Sequence, residues 1–180
     1  MKYILMLAVV CSLYAANEMR MFDSAGISFS YPARFTVRGD AIDAERSGTH
    51  TITLRSQADE TIVIAVWDSR KKTALIDLAR ARSTWRNTRQ TERIAGVQIS
   101  EMVIREERTN AVEGHGRWYR GVAQSYDVIT TRSVSLPYRA QFIDASTPSR
   151  TIFIFVESPA TITDRAYQTL WTVAGSMTVK

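Results

Sequence analysis

Two histidines, His50 and His115, are the side chains here whose ordinary pKa lies near neutrality. His115 sits in EGHGRWY, two residues after Glu113 and between glycines. That segment offers too few ligands for a metal, so His50 would have to converge from another strand. A general base needs a nucleophile or an acid within reach, and the spacing names none. No G-x-S-x-G elbow, H-E-x-x-H pair or phosphate loop occurs. The close carboxylates Glu106-Glu107 and Asp40/Asp43 read as solvated loop charges rather than an acid–base pair. Trp118-Tyr119, between Arg117 and Arg120, has the types that stack nucleobases, but neighbouring strand positions point to opposite faces. These residues specify no reaction, no metal, no cofactor and no nucleic acid.

The first fifteen residues read as an export signal. Lys2 supplies the positive start, Tyr3–Tyr14 is almost wholly apolar, and Ala15-Ala16 precede polar Asn17 and Glu18. The run is shorter than the ~20 residues a spanning helix needs. Cleavage after Ala15 or Ala16 is expected, leaving residues 16–180 as one periplasmic or secreted domain with no transmembrane helix; an uncleaved anchor is the alternative. The single cysteine, Cys11, fits a lipoprotein signal poorly because Val10 precedes it. If it leaves with the signal, the mature chain has no disulfide, no thiol chemistry and no Cys-ligated metal. The full chain has 180 residues, 45% of them hydrophobic, which suits one globular domain with a sizeable core. Its net charge of +5 is too small to indicate a nucleic-acid partner by itself.

The elements that must position any site begin with Ala25–Val37, AGISFSYPARFTV. Ile27, Phe29 and Tyr31 alternate with serines, Pro32 breaks the pairing, and Phe35 and Val37 resume it. Met19–Ser24 reads as a lead-in and Gly39–Gly48 as a turn. Thr49–Arg55 and Thr61–Trp67 make a hairpin, the second an unbroken apolar run of a strand covered on both faces. Thr73–Thr88 reads as the first helix, with Leu75, Leu78, Ala79 and Trp85 facing the core and Arg82 and Arg89 snorkelling to its rim. Val97–Arg105 and Arg117–Thr131 are further strands around an exposed loop, Glu106–Gly116. Thr151–Glu157 is a second apolar run, placed beside Thr61–Trp67. Thr161 with Asp164 resembles a capping box for a last helix whose stripe is Tyr167, Leu170, Trp171 and Ala174. The expected core is Val63, Ala65, Phe153 and Phe155, packed by Leu75, Leu78 and Leu170.

Charge is unevenly spread. From Arg70 to Arg93 there are eight basic residues against Asp77 and Glu92. Lys71, Lys72, Arg80, Arg86 and Arg89 are therefore the candidate partner-binding residues, steering an envelope protein or an anionic surface. The plainer alternative is a solvated helix whose charges complement its dipole.

With both helices placed, the Gly26-to-Pro32 opening, the hairpin, LIDLARARSTW, the run of strands and YQTLWTVAGSMTV together resemble the PsbP-like family. The resemblance implies an α+β fold, an αβα sandwich with a mostly antiparallel central sheet flanked by helices. It also implies an accessory protein rather than an enzyme. The expected function is an exported, non-catalytic binding protein of the cell envelope that docks on a larger assembly or an anionic surface. A second reading is a carrier of a small apolar ligand between sheet and helix, in a hollow lined by Trp67, Trp85 or Trp171. A third is an enzyme with a site near His115.

Overall fold

The structure, a computed structural model, describes residues 18–43, 49–68, 78–114, 117–148 and 150–180. Strands β1 (Met19–Ser24) and β2 (Ile27–Pro32) form an antiparallel hairpin, so the expected lead-in is itself a strand. Their two-residue turn, Ala25-Gly26, holds φ of 49° and 81°, the conformation whose twist suits a hairpin and that glycine adopts without strain. β3 (Phe35–Asp43) begins after Pro32 in a different sheet. The proline break is thus where the chain crosses between sheets, and the alternation survives the crossing. Ile27, Phe29, Tyr31 and Phe35 are all buried.

β4 (Thr49–Ser56), β5 (Thr61–Asp68), helix α1 (Leu78–Gln90), β6 (Arg93–Ile94), β7 (Val97–Gly114), β8 (Arg117–Thr130), β9 (Ser135–Asp144) and β10 (Arg150–Pro159) follow. A short 3-10 turn, helix α2 (Thr163–Ser176) and β11 (Thr178–Val179) end the chain. Among the described residues the strands form a three-stranded sheet, β1-β2-β11, and an eight-stranded sheet, β3-β4-β5-β10-β9-β8-β7-β6. Every described pairing is antiparallel.

β5 and β10 lie side by side at the centre, in register from Arg150↔Asp68 to Glu157↔Thr61. β10 is covered on both faces. Ile152, Ile154 and Val156 pack with Ala166, Leu170 and Val173 of α2, while Phe155 packs with Leu78 and Trp85 of α1. The expected core needs a correction of phase. Ile62, Ile64 and Val66 are the buried residues of β5, whereas Val63, Ala65 and Phe155 are only partly buried; Phe153 and Leu170 are buried as expected. An unbroken apolar run carries no alternation, so it cannot say which parity points inward. Leu75 lies outside the described residues.

The helices touch opposite faces but different strands, α1 over β7 and β9, α2 over β2 and β10. The fold is therefore α+β with a mostly antiparallel sheet, and each helix covers only part of it. The small sheet shares the α2 side, contributing Phe22, Ile27, Phe29 and Tyr31 to that core. Glu60, fully buried just before β5, ties the same side together. It receives both Nε and Nη2 of Arg34 at 3.2 Å and Nη2 of Arg165 from α2 at 3.3 Å.

Two further expectations change. Glu106–Gly114 is not a loop but the second half of β7, paired with β8 beyond a bulge between Ile104 and Glu106. The bulge breaks the alternation that a reading of the sequence follows. α2 starts at Thr163 with Ile162 as N-cap and no side-chain cap, so Thr161 and Asp164 do not form a capping box. Its buried stripe is Thr163, Ala166, Thr169, Leu170 and Val173, with Tyr167, Trp171 and Ala174 at its margin.

Ile154 is fully buried in the two-faced strand. Ile154→Ala is expected to lower unfolding free energy by about 2–5 kcal/mol, measured by urea denaturation. A loss below about 0.5 kcal/mol would contradict the placement of this strand.

Candidate functional site

α1, LARARSTWRNTRQ, carries four arginines and no acid. Its inward face is set by Leu78 and Trp85, spaced seven residues apart. Trp85 meets Tyr126, Phe142 and Phe155 edge-on, with ring centres 5.6, 5.2 and 5.6 Å away. Arg82, Arg86 and Arg89 follow the same stripe at four- and three-residue steps, so their guanidiniums are carried to the sheet as well.

Arg89 was expected at an exposed docking rim. It is instead 4% exposed, with its Nε 2.7 Å from Glu157 Oε1. Its Nη1 lies 2.8 Å from Glu92, whose carboxylate also accepts from Arg55 at 3.0 Å. Asp59, in a left-handed turn conformation with φ of 60°, stands 3.9 Å from Arg89 Nη2. The Tyr138 hydroxyl donates to Asp59, and the Tyr138 ring lies 5.5 Å beneath the Arg89 guanidinium. The arginine is thus surrounded by acceptors and belongs to the packing of the helix. Snorkelling fails because Glu157 offers a nearer and drier partner than water.

This environment moves proton equilibria. Burial pushes the Glu157 carboxyl above the ordinary range, against the opposing charge of Arg89. Burial acts to lower Arg89, but the charge and hydrogen bond of Glu157 outweigh it and its pKa is raised. Tyr138 is pushed up by burial and then by Asp59. Tyr126 is pushed up by burial and then by Glu157; its buried hydroxyl lies within the influence of that carboxylate without the geometry of a hydrogen bond.

Arg82 reaches both carboxylate oxygens of Glu107 at 2.9 Å through Nη2, and the Gln124 amide donates to Glu107 from the neighbouring strand. Burial acts to raise Glu107, but Gln124, Arg82 and the charge of Arg86 outweigh it and hold the carboxyl below its usual range. Arg86 is half-buried and makes no ion pair among the described residues. Arg80 lies exposed on the outer side. Lys71 and Lys72 lie outside the described residues, as does His115.

His50 is buried on β4 and meets Asp40 of β3 through Nε2. Among the described residues no group of three or more His, Cys, Asp or Glu side chains could hold a metal. The two tryptophans described pack against rings, Trp85 as above and Trp171 stacked on Tyr119 at 5.8 Å. The side chain of Trp67 lies outside the described residues. A cleft of about 340 Å³ opens instead beside the start of α2, lined by Arg139, Asp164, Arg165 and residues 160–163. Among the described residues no helix is long and apolar enough to cross a membrane.

What the sequence missed is the pair of buried carboxylates, Glu60 and Glu157. Glu60 immediately precedes one unbroken apolar run and Glu157 closes the other, and Arg89 falls on an apolar stripe; an acid in one such place and an arginine in another is the available signal.

No family model matches the chain, and no curated protein matches it. Among solved structures it is similar to cyanobacterial PsbP from Synechocystis sp. PCC 6803, 16% identical with a TM-score of 0.48, covering 90% of this chain and 92% of that one. It is similar to the Ran-binding protein Mog1p of Saccharomyces cerevisiae, 11% identical with a TM-score of 0.43, covering 90% and 95%. It is also similar to LpqN of Mycobacterium tuberculosis, described as involved in cell envelope biogenesis, 9% identical with a TM-score of 0.44, covering 91% of each chain.

Arg89→Met leaves Glu157 buried without its partner, a change that costs about 3–5 kcal/mol where the carboxylate stays charged. The sign follows from the raised pKa. The folded state holds the Glu157 proton to higher pH than the unfolded chain, so stability falls as pH rises through the raised folded value. Removing Arg89 raises that value further. The loss in urea unfolding free energy is therefore expected to be larger at pH 8 than at pH 5, and a loss independent of pH would contradict this account.

Proposed function

We propose that the protein is an exported, non-catalytic accessory protein of PsbP-like type. It docks on a larger envelope assembly or an anionic surface through the outer basic face of α1. Residues 1–15 serve as the cleaved signal and residues 16–180 as the working domain. The observation that supports docking is the charge of α1, four arginines with no acid, on a helix fixed to the rest of the molecule by buried contacts. A fixed helix presents its outward charges in one arrangement, and a local field of one sign steers an oppositely charged partner.

Arg89 is held inward by Glu157, and Arg86 is half-buried with its Nε–H turned inward, so the docking reading rests on exposed Arg80, with Lys71 and Lys72 preceding it in the chain. Arg80→Glu combined with Lys72→Glu is expected to abolish co-sedimentation with the cell's own envelope fraction while shifting the thermal midpoint by only a few degrees. Binding of the parent protein weakens steeply between low and high salt, because exposed charges are screened over about 10 Å at 0.1 M. A folded double variant that still associates would overturn the reading.

A further inference from the structure

Between α1 and strands β7 and β8, charge and hydrogen bonding do not balance. Arg82 and Arg86, one helical turn apart, bring two positive charges to one carboxylate, Glu107. The Nε–H groups of both arginines are buried and have no hydrogen-bond partner among the described residues. So is the Oε1 acceptor of Gln124, a residue 3% exposed whose amide nitrogen is already committed to Glu107. Buried polar groups are almost always paired, and an orphaned buried donor costs about 1–3 kcal/mol. Two orphan donors and one orphan acceptor around the same carboxylate call for a group that both accepts and donates.

We propose that this is a seat for a phosphate group that retains a proton, either free phosphate or a phosphate monoester. Its charged oxygens accept from Arg82 and Arg86, and its remaining O–H donates to Gln124 Oε1. Arginine's planar fork suits such oxyanions, and Arg82 can bind there through its Nε–H, which Glu107 does not use. The chemistry discriminates among anions. A carboxylate, a sulfate or a phosphodiester offers acceptors alone and leaves Gln124 unpaired. A water molecule offers both kinds of bond but leaves the second guanidinium charge without a counterion. The docking reading concerns the outward charge of α1, and this seat concerns the inward one, so either can fail without the other.

The arginine Nε–H resonances report directly on the seat. The full protein is titrated with sodium phosphate near neutral pH, and separately with sodium sulfate, at constant ionic strength, while ¹⁵N–¹H spectra of the arginine Nε groups are recorded. The Arg82 and Arg86 signals are expected to shift together and saturate with phosphate. Sulfate requires about tenfold more for the same shift. The Arg89 signal, held on Glu157, stays in place and shows that the protein remains folded. In Arg86→Gln the Arg82 response falls at least about tenfold, and Gln124→Met removes the preference for phosphate over sulfate. Shifts that never saturate, that are equal for the two anions, or that survive in Arg86→Gln would overturn the proposal and leave water as the occupant.

Discussion

A carboxylate buried near one end of a two-faced strand is the constraint on which this fold turns. Glu157 lies on β10, where one face packs against α2 and the other against α1, and it is 2% exposed. An isolated carboxylate there would be neutralised or would unfold the strand; Arg89, 2.7 Å away, is what makes a charged form compatible with burial. Because the partner comes from α1, the electrostatics of one residue fix the position of a whole helix. Glu60 repeats the device at the same end of the sheet, next to Thr61, the residue paired with Glu157. It reaches the other way, to Arg165 on α2 and to Arg34 in the crossing between sheets.

Two buried acids at one end of the central strands therefore anchor two helices on two faces. Apolar contact alone holds α1 through a small set of side chains, chiefly Leu78 and Trp85. The arginines turned inward add direction to that contact, since a bidentate or doubly bonded guanidinium tolerates little rotation. Function in this picture is a division of labour along one helix. Arg89 is spent on position, Arg80 faces outward, and Arg82 and Arg86 lie between, close to Glu107.

How much of this was legible in the sequence depends on which physical signal each element leaves. The alternation Ile27, Phe29, Tyr31, Phe35 survives intact because a half-buried strand writes its inner face into every second residue. The pairing of the two apolar runs, β5 and β10, was equally plain, but their phase was not, because residues buried on both faces are apolar at every position. The long β7 was cut short at its bulge, where one extra residue shifts the alternation. The spacing puts Arg89 on the correct stripe but predicts the wrong environment, since sequence spacing locates a side chain on a helix and says nothing about Glu157, 68 residues away. The outer basic charge was legible from composition, whereas the orphaned donors of Arg82 and Arg86 exist only once β7 and β8 are in place.

The direct test of the central claim is the coupling between the two charged side chains. A double-mutant cycle with Arg89→Met and Glu157→Gln, read by equilibrium unfolding at neutral pH, isolates that energy from the packing each residue also provides. The account predicts strong non-additivity, a coupling of at least about 1 kcal/mol, with the double variant more stable than Arg89→Met alone because no unpaired carboxylate remains buried. Additive losses within about 0.3–0.5 kcal/mol would contradict it.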